Sequence, residues 1–382
     1  MKNKLTLVVL IVIVVCSNCY SNSISKNLDS IQFKMDRGAI FIDVTINNKP
    51  YNFLFSTATN SSISIELINL YDLKSSNKNK EEIFYSLKEF KIGNSVFKKI
   101  DAKSFNVKSS FNLKCSKVYG IIGSDFLSSL VWKIDYKNKY IIFSNSIDDF
   151  NFSKEVKKIN FKTAKSSYAP LINLNANNIN YENVMVSIGS NATINLPNKN
   201  FKDSIFRYKN VKYTGSERFS IKSYNTLFTE TCVMLPEIKS QNYSLGSNIV
   251  VFSDDDKSFI GNKILKNYEL TIDWKNNILY LDNYNSGEKY IIEDYGFYIY
   301  KRFNSIEVVG VYIDSDADKK GIKNGDIVSM INEIDFTKIS EEELCYLLFN
   351  FKNHFNGQPI NVNVIRNGKK LNFNISKEII LN

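Results

Sequence analysis

Residues 121–143 read IIGSDFLSSLVWKIDYKNKYIIF, and residues 259–281 read FIGNKILKNYELTIDWKNNILYL. Each stretch begins with two apolar residues and a glycine, continues through a short amphipathic segment, and reaches Ile-Asp-aromatic-Lys-Asn before a final apolar run. An Asp and a Lys between two apolar runs favour a polar hairpin turn between two strands. So much shared order in two places indicates an internal repeat.

A second pair of matching stretches lies upstream. Residues 53–65 read FLFSTATNSSISI, and residues 184–196 read VMVSIGSNATINL. Each is an apolar strand, a serine, a turn of small residues with Asn, and a second apolar strand. Because both pairs have nearly the same separation, the sequence predicts a mainly β protein with two similar lobes, residues 28–150 and 158–284. The acidic and polar stretch 146–156 is the predicted linker between them.

The remaining segment, residues 290–380, has a different pattern and predicts a third, α+β domain. Strands are expected at 296–302, 306–312, 327–331, 360–366 and 370–375, and a helix at 341–351. Asn367-Gly368 separates the last two strands. An Asn-Gly pair between alternating apolar runs is the strongest short hairpin signal in a sequence.

Composition excludes some functions. The chain has 382 residues, of which 43% are hydrophobic and 13% aromatic, enough for two or three units that each bury a core. The net charge of +10 suggests nucleic acid, but the lysines alternate with asparagines and acidic residues along the chain. We therefore predict a solvated surface and no nucleic-acid partner. The sequence has no phosphate-binding glycine loop or dinucleotide fingerprint, and we expect no cofactor.

The N-terminus predicts export. Two lysines precede an apolar run, Leu5 to Cys16, whose length of about a dozen residues is too short to span a bilayer. This pattern is typical of a secretory signal peptide, here residues 1–22. The protein is expected in the periplasm or cell envelope. Cys16 or Cys19 is a candidate lipid acceptor, although neither follows a small residue, and membrane contact is expected only through such an anchor.

Three further cysteines, Cys115, Cys232 and Cys345, lie far apart in the chain. Three widely spaced cysteines provide neither a disulfide framework nor a zinc site. We therefore expect buried thiols and no metal centre. The acidic run at residues 254–256 is interpreted as an exposed loop before the strand at residue 259, in preference to a metal site.

The two repeats resemble retropepsin- and pepsin-like aspartic proteases. In that family an apolar run leads into Asp-Thr-Gly, and a later apolar-apolar-Gly completes the motif. Here the corresponding tripeptides are Ser-Thr-Ala at 56–58 and Ser-Ile-Gly at 187–189, with Gly123 and Gly261 in the later elements. The resemblance implies two β-barrel lobes formed by duplication.

The C-terminal segment is similar to bacterial PDZ domains, which often follow the protease lobes in bacterial members of the family. Asp318, Gly321-Ile322, Gly325-Asp326-Ile327-Val328 and Ile331-Asn332 carry this likeness. The two resemblances together cover almost the whole mature chain.

The catalytic aspartates implied by the family are missing, because Ser56 and Ser187 occupy both positions. The reaction needs two coupled carboxyls that share a proton, and a hydroxyl cannot take that role near neutral pH. Ala58 and Ile188 also replace the usual Gly and Thr, and no Asp-Thr-Gly or Asp-Ser-Gly occurs in the chain. No catalytic residue is therefore expected.

A serine nucleophile would need a neighbouring base. The only histidine, His354, lies in the C-terminal segment beside a predicted surface turn, where a solvent-facing position is favoured. A lysine base stays open, although nothing in the sequence points to one.

Without the catalytic aspartates, the activity that the resemblance still implies is binding. A pseudoprotease of this kind would hold an extended peptide in the cleft between its lobes, or a protein C-terminus in the PDZ groove by strand addition. The candidate groove residues are Tyr295, Gly296, Phe297 and Tyr298 on the strand side and Leu344, Leu347 and Leu348 on the helix side. The spacing of these leucines fits core packing equally well.

Two other functions stay open. One is an active aspartic endopeptidase whose catalytic residues are misassigned. The other is an envelope scaffold in which the lobes serve only as a folded body. Apolar pockets along the cleft would favour a ligand, and a collapsed cleft would favour the scaffold.

Overall fold

The computed structural model describes residues 28–76, 83–107, 111–198, 206–215, 227–254, 256–284 and 291–382. The predicted signal peptide, with Cys16 and Cys19, lies outside these residues, as does Asp255 of the acidic run. The described residues are mainly β, as predicted.

The first half of the chain forms strands and short helices in the following order. They are β1 (Asp29–Asp36), β2 (Ala39–Ile46), β3 (Lys49–Phe55), β4 (Ser62–Ser64), α1 (Ile65–Leu70), β5 (Phe84–Leu87), β6 (Phe90–Ile92), β7 (Ser95–Phe97), β8 (Ile100–Phe105), α2 (Phe111–Cys115), β9 (Gly120–Ile122), α3 (Ser124–Leu127), β10 (Val131–Asp135) and β11 (Tyr140–Ser144).

The second half follows after a 3-10 turn at Ile147–Asp149. Its elements are β12 (Lys157–Asn160), β13 (Lys162–Thr163), β14 (Pro170–Ala176), β15 (Ile179–Ser187), β16 (Ile194–Pro197), β17 (Asn210–Gly215), β18 (Phe228–Leu235), β19 (Ile238–Ser240), β20 (Tyr243–Ser244), β21 (Asn248–Ser253), β22 (Phe259–Gly261), α4 (Asn262–Leu265), β23 (Tyr268–Asp273) and β24 (Ile278–Asn283).

The C-terminal unit completes the chain. Its elements are β25 (Ile292–Asp294), β26 (Phe297–Arg302), β27 (Ser305–Tyr312), α5 (Asp316–Lys320), β28 (Ile327–Ile331), β29 (Ile334–Asp335), α6 (Glu341–His354), β30 (Ile360–Arg366), β31 (Lys369–Ile375) and β32 (Glu378–Leu381). Each strand predicted in this segment is present, and so is the helix, which extends three residues beyond its predicted end.

The two halves share one strand order. In the first half, β9 lies between β3, with which it is parallel, and β4, with which it is antiparallel. In the second half, β22 lies in the same way between β15 and β16. The next neighbours also correspond, since β8 is parallel to β4 and β21 is parallel to β16. In each half, the two strands that flank the serine turn are therefore paired with the same third strand from later in that half, β9 or β22.

The halves join edge to edge through β10 and β23, in the strand order β12-β24-β23-β10-β11-β1. When Asp135 is matched with Asp273, Lys133 becomes the counterpart of Thr271, and the two face each other in the antiparallel pair. A residue that faces its own counterpart marks a twofold axis. A pseudo-twofold axis therefore passes between these two strands.

The hairpin turns predicted at Asp135 and Asp273 are present and have the same hydrogen bonds. Asn138 donates from its backbone N and from Nδ2 to the Asp135 carboxylate, at 3.0 and 2.7 Å. Asn276 donates in the same way to Asp273, at 3.1 and 2.6 Å. An Asp side chain that accepts from the backbone of its own turn fixes that turn, so both hairpins beside the axis have a defined geometry.

Two glycines explain the repeated apolar-apolar-Gly motif. A Cβ at Gly123 would lie 2.3 Å from the backbone C of Asn60 and the backbone N of Ser61. A Cβ at Gly261 would lie 2.6 Å from the backbone O of Ala192. Only glycine allows the strand to approach the serine turn of its own half this closely.

The expected β-barrel closure is wrong for the described residues. The strands of the first half run β1-β2-β3-β9-β4-β8-β5 along an open path, and β5 does not return to pair with β1. The second edge of β1 is already occupied by β11, which belongs to the sheet between the halves. The first half therefore opens into the sheet between the halves, and the strands from β14 to β17 of the second half form another sheet that continues into the C-terminal unit.

Both halves contribute to one hydrophobic core, whereas the C-terminal unit packs around a core of its own. Within that unit, Arg366 donates to the buried Asp326 carboxylate from two nitrogens, at 2.6 and 2.7 Å. These charge-assisted bonds raise the pKa of Arg366. The unit joins the second half through β27, which pairs with β17.

Candidate functional site

The serine turns after β3 and β15 meet at the boundary between the two halves. Ser56 and Ser187 are 3% and 5% exposed. The backbone N of Ser56 donates to Ile122 O at 3.0 Å, which continues the parallel pairing of β3 with β9. Each serine thus stands at the end of a strand that is fixed on both sides, and neither has freedom to swing into solvent.

Thr57 connects the two turns. Its Oγ1 donates to Val186 O at 2.5 Å and accepts from Ile188 N at 3.2 Å. These two backbone atoms flank Ser187 in the chain, and Thr57 itself is fully buried. One hydroxyl therefore fixes the serine turn of the second half against that of the first.

The turns touch closely enough to exclude a side chain at Gly189. A Cβ at that position would lie 2.6 Å from Ser56 Oγ. Ser56 Oγ also accepts from the backbone N of Ala58 at 3.3 Å. The Ser56 hydroxyl therefore lies against the backbone of the opposite turn.

The hydroxyl link is asymmetric. Ile188 occupies in the second half the place that Thr57 has in the first, and its fully buried side chain belongs to the hydrophobic core. The side chain of Ile188 has no hydrogen-bonding group, so the side-chain link runs only from Thr57 in the first half to the backbone of the second. The difference between Thr57 and Ile188, two positions that match in the repeat, is the cause.

A second buried polar link comes from Asn262, which the sequence reasoning missed. Its Nδ2 donates to Gly38 O and to Ile188 O, each at 2.6 Å, and its Oδ1 accepts from the hydroxyl of Tyr136 at 2.7 Å. Burial raises the pKa of Tyr136 well above its usual value, so this hydroxyl stays protonated. The available signal was a polar residue directly after Gly261 in an otherwise apolar motif.

The chemistry at the serine turns is limited by their composition. Ser, Thr, Ala, Ile and Gly contain no group that titrates near neutral pH. Within the described residues, the hydrogen-bond partner of Ser56 Oγ is the Ala58 amide and not a lysine amine. His354 lies at the end of α6, where its ring contacts Tyr346 and Phe355. The turns therefore have neither a carboxyl pair nor a base for a serine nucleophile.

The described part of the chain contains no group of three His, Cys, Asp or Glu side chains that could hold a metal ion. Asp254, the described member of the acidic run that precedes residue 255, accepts a hydrogen bond from Asn198 at 2.8 Å. No helix in the described ranges is long and apolar enough to cross a bilayer.

Four of the seven candidate groove residues lie in the core of the C-terminal unit. Tyr295 and Phe297 are fully buried, and Leu344 and Leu347 are almost so. Leu348 is half-buried and packs at the border of the same core. Core packing therefore accounts for the positions of the two buried leucines.

The other two candidate residues have different surroundings. Gly296 has a φ of 85°, and a Cβ there would lie 2.5 Å from Ser315 Oγ, so both its conformation and its close packing require glycine. Tyr298 faces the second half, with its ring centroid 5.6 Å from that of Tyr213 on β17. What remains for a ligand is the backbone of β26 and the side of α6 around Leu348.

That backbone has an open edge. Among the described strands, β26 pairs with β27 alone. The opposite edge of an edge strand carries N–H and C=O groups that can pair with an added strand.

The cysteines differ from the prediction. Cys115 of α2 and Cys345 of α6 form a disulfide, so two of the three expected thiols are absent. The bond joins residues 230 positions apart, and sequence spacing gave no reason to pair them. Cys232 is a free, buried thiol, and burial raises its pKa to about 12.

No model of a known protein family matches the chain, and no curated protein sequence matches it. The function must therefore be inferred from the residues and their geometry.

We expect Thr57→Val to destabilise the fold by about 2–4 kcal/mol, because it leaves Val186 O and Ile188 N buried without a partner. Thr57→Ser keeps the hydroxyl and is the matched control, with a loss of about 1 kcal/mol from the missing methyl. Urea unfolding measures both free energies. Equal stability of the two variants would contradict the hydroxyl link.

Proposed function

We propose that this chain is an exported aspartic-protease-like protein that has lost its catalytic dyad and binds a peptide or protein terminus through a PDZ-like C-terminal unit. The observation that carries the proposal is the Thr57 hydroxyl link. It ties the turn of Ser56 to the turn of Ser187, which supports a site that the two halves would share.

The repeated strand order supports the protease-like scaffold. The placement of β9 and β22 between the strands that flank each serine turn is the same in both halves. An active site shared across a pseudo-twofold axis needs one turn from each half, and each turn has to be positioned by the same strands. This likeness supports a scaffold of that kind in which Ser56 and Ser187 stand at the positions of the acids.

Loss of peptidase activity follows from proton transfer. A carboxyl pair works when one member is ionised and takes a proton from water while the other is protonated and polarises the carbonyl. Two serine hydroxyls provide neither state between pH 3 and 8. The active-endopeptidase alternative would require other carboxyls, and none belongs to the two serine turns.

Peptide binding is supported by the open edge of β26. A peptide that pairs with this edge would lie beside α6, where Leu348 is half-buried. The burial of Tyr295 and Phe297 favours recognition mainly through the backbone, with few side-chain pockets. The envelope-scaffold alternative gains support from the same burial, because a groove without pockets selects ligands poorly.

Export is supported by the disulfide between Cys115 and Cys345. Disulfides form and persist in oxidising compartments such as the periplasm and are rare in the cytosol. We propose the cell envelope as the location, with lipid attachment at Cys16 or Cys19 as the route to membrane contact.

We expect the wild-type chain to leave a diverse peptide mixture uncut from pH 3 to 8. Ser56→Asp combined with Ser187→Asp should cleave slowly, and only below about pH 5, because activity is lost once both carboxyls are ionised. Ala58 and Ile188 keep the rate low by disturbing the two turns. Mass spectrometry of the mixture measures peptide cleavage by the wild type and by the double variant.

The control is Ser56→Asn with Ser187→Asn, which has the same shape as the Asp pair but cannot titrate. Cleavage by this control, or reproducible cleavage by repurified wild-type protein, would place catalysis elsewhere in the chain.

We expect a library of displayed peptides with free C-termini, panned in reducing and in oxidising buffer, to yield ligands of the mature chain. Leu348→Arg should lower their affinity at least tenfold by placing a charge beside β26. Tyr346→Arg is the matched control on the exposed face of α6 and should change nothing. The absence of ligands in both buffers would contradict a peptide-binding groove.

A further inference from the structure

Helix α2 of the first half lies at the open edge of β26. The ring of Phe111 is 6.2 Å from the ring of Tyr300, centroid to centroid, and Nζ of Lys301 lies 5.2 Å from the Phe111 centroid. Consecutive residues of a strand point to opposite faces, so a side chain that contacts both lies at the strand's edge. Since β27 occupies the other edge, Phe111 lies at the edge where a peptide would be added.

The same short helix contacts α6. Lys114 forms an ion pair with Glu341 at 2.5 Å, and Cys115 is bonded to Cys345. Residues 341 and 345 are one helical turn apart and share a face of α6. Strand β26 and helix α6 form the two sides of the groove. Helix α2 therefore spans from one side to the other.

A third contact extends this cover along α6. The guanidinium of Arg37, in the turn between β1 and β2, lies 3.6 Å from the centroid of the Phe349 ring. Arg37 also donates to Asn112 O at 3.3 Å, which ties it to α2. Residue 349 continues the face formed by residues 341 and 345, so three successive turns of α6 face the first half.

We propose that α2 is a built-in occupant of the groove between β26 and α6, and that the Cys115–Cys345 disulfide holds it there, so that the groove opens to a peptide after reduction. This inference concerns the regulation of the proposed binding site and rests on that function.

The non-covalent contacts of α2 are individually weak. Lys114 and Glu341 are 46% and 41% exposed, and an ion pair between such side chains contributes little in water. Phe111 is only half-buried. Without the covalent bond, α2 would exchange between docked and undocked positions, whereas the bond keeps it within a few ångströms of α6.

The C-terminal unit would stay in place when α2 leaves. Its sheet remains paired with the second half through β17 and β27, where Tyr213 faces Tyr312 and Gly215 faces Gly310. Reduction therefore frees the groove without separating the unit from the body.

The redox step needs a dithiol, either a small reductant or a thiol–disulfide oxidoreductase. One thiolate of the reductant attacks a sulfur of the disulfide, which releases one protein cysteine and forms a mixed disulfide. The second thiol of the reductant then attacks the mixed disulfide and releases the other cysteine. The products are the Cys115 and Cys345 thiols and the oxidised dithiol, with two electrons and two protons transferred. Both cysteines are half-buried, whereas Cys232 is buried and takes no part.

Hydrogen exchange on the full mature chain tests the inference. After reduction with dithiothreitol, we expect amides in residues 297–302 and 344–349 to exchange about tenfold faster, while β10 and β23 are unchanged. Cys115→Ser with Cys345→Ser should show the faster exchange even in oxidising buffer, and Cys232→Ala should behave as wild type. Unchanged exchange at residues 297–302 after reduction would overturn the inference.

Peptide panning in the two buffers separates this inference from the proposed function. Ligands recovered only from the reduced chain support both. Faster exchange after reduction without any ligand supports the closed groove and contradicts peptide binding. Equal recovery of the same ligands in both buffers supports peptide binding and overturns the closed groove.

Discussion

The antiparallel pairing of β10 with β23 is the constraint on which the rest of the structure depends. It places the two repeats about a pseudo-twofold axis between Lys133 and Thr271. Each of these strands follows a short helix and the glycine strand, β9 or β22, that holds a serine turn. The serine turns of the two halves meet at the boundary between them.

Where the turns meet, the structure depends on a small number of buried polar bonds. Thr57 provides one link and Asn262 the other, and both reach backbone atoms around Ile188. Buried backbone groups that lose a partner are costly, so these links stabilise the contact between the two turns. The contact between the turns holds the two halves together without any ionisable group.

The C-terminal unit is attached to both halves by different means. Strand pairing between β17 and β27 joins it to the second half, and the disulfide joins it to the first. The strand pairing involves no redox-active group, whereas the disulfide depends on redox state. This difference makes α2, rather than the whole unit, the element that responds to reduction.

The repeat and the hairpins were predictable because short stretches of sequence determine them. Asp135 and Asp273 lie between apolar runs, and the same spacing recurs in both halves. The sequence also identified Ser56 and Ser187 as counterparts, and the structure brings their turns together. The strands and helix of the C-terminal unit followed from alternation and helical periodicity in the same way.

What the sequence could not supply are features set by contacts between distant parts of the chain. Cys115 and Cys345 pair only because α2 packs on α6, and nothing in their local sequences indicates this. Barrel closure was expected wrongly, because the second edge of β1 is taken by β11 in the shared sheet. The burial of Tyr295 and Phe297 likewise depends on how the strand faces α6, which alternation alone does not decide.

The central claim is that the turns of Ser56 and Ser187 face each other, and the exchange rate of the Ile188 amide, measured by NMR, tests it most directly. Its only described acceptor is the Thr57 hydroxyl from the other half. If the turns face each other as described, this amide exchanges only through global unfolding, at the rate of the slowest core amides. Exchange as fast as that of an exposed loop amide would show that the two turns do not meet.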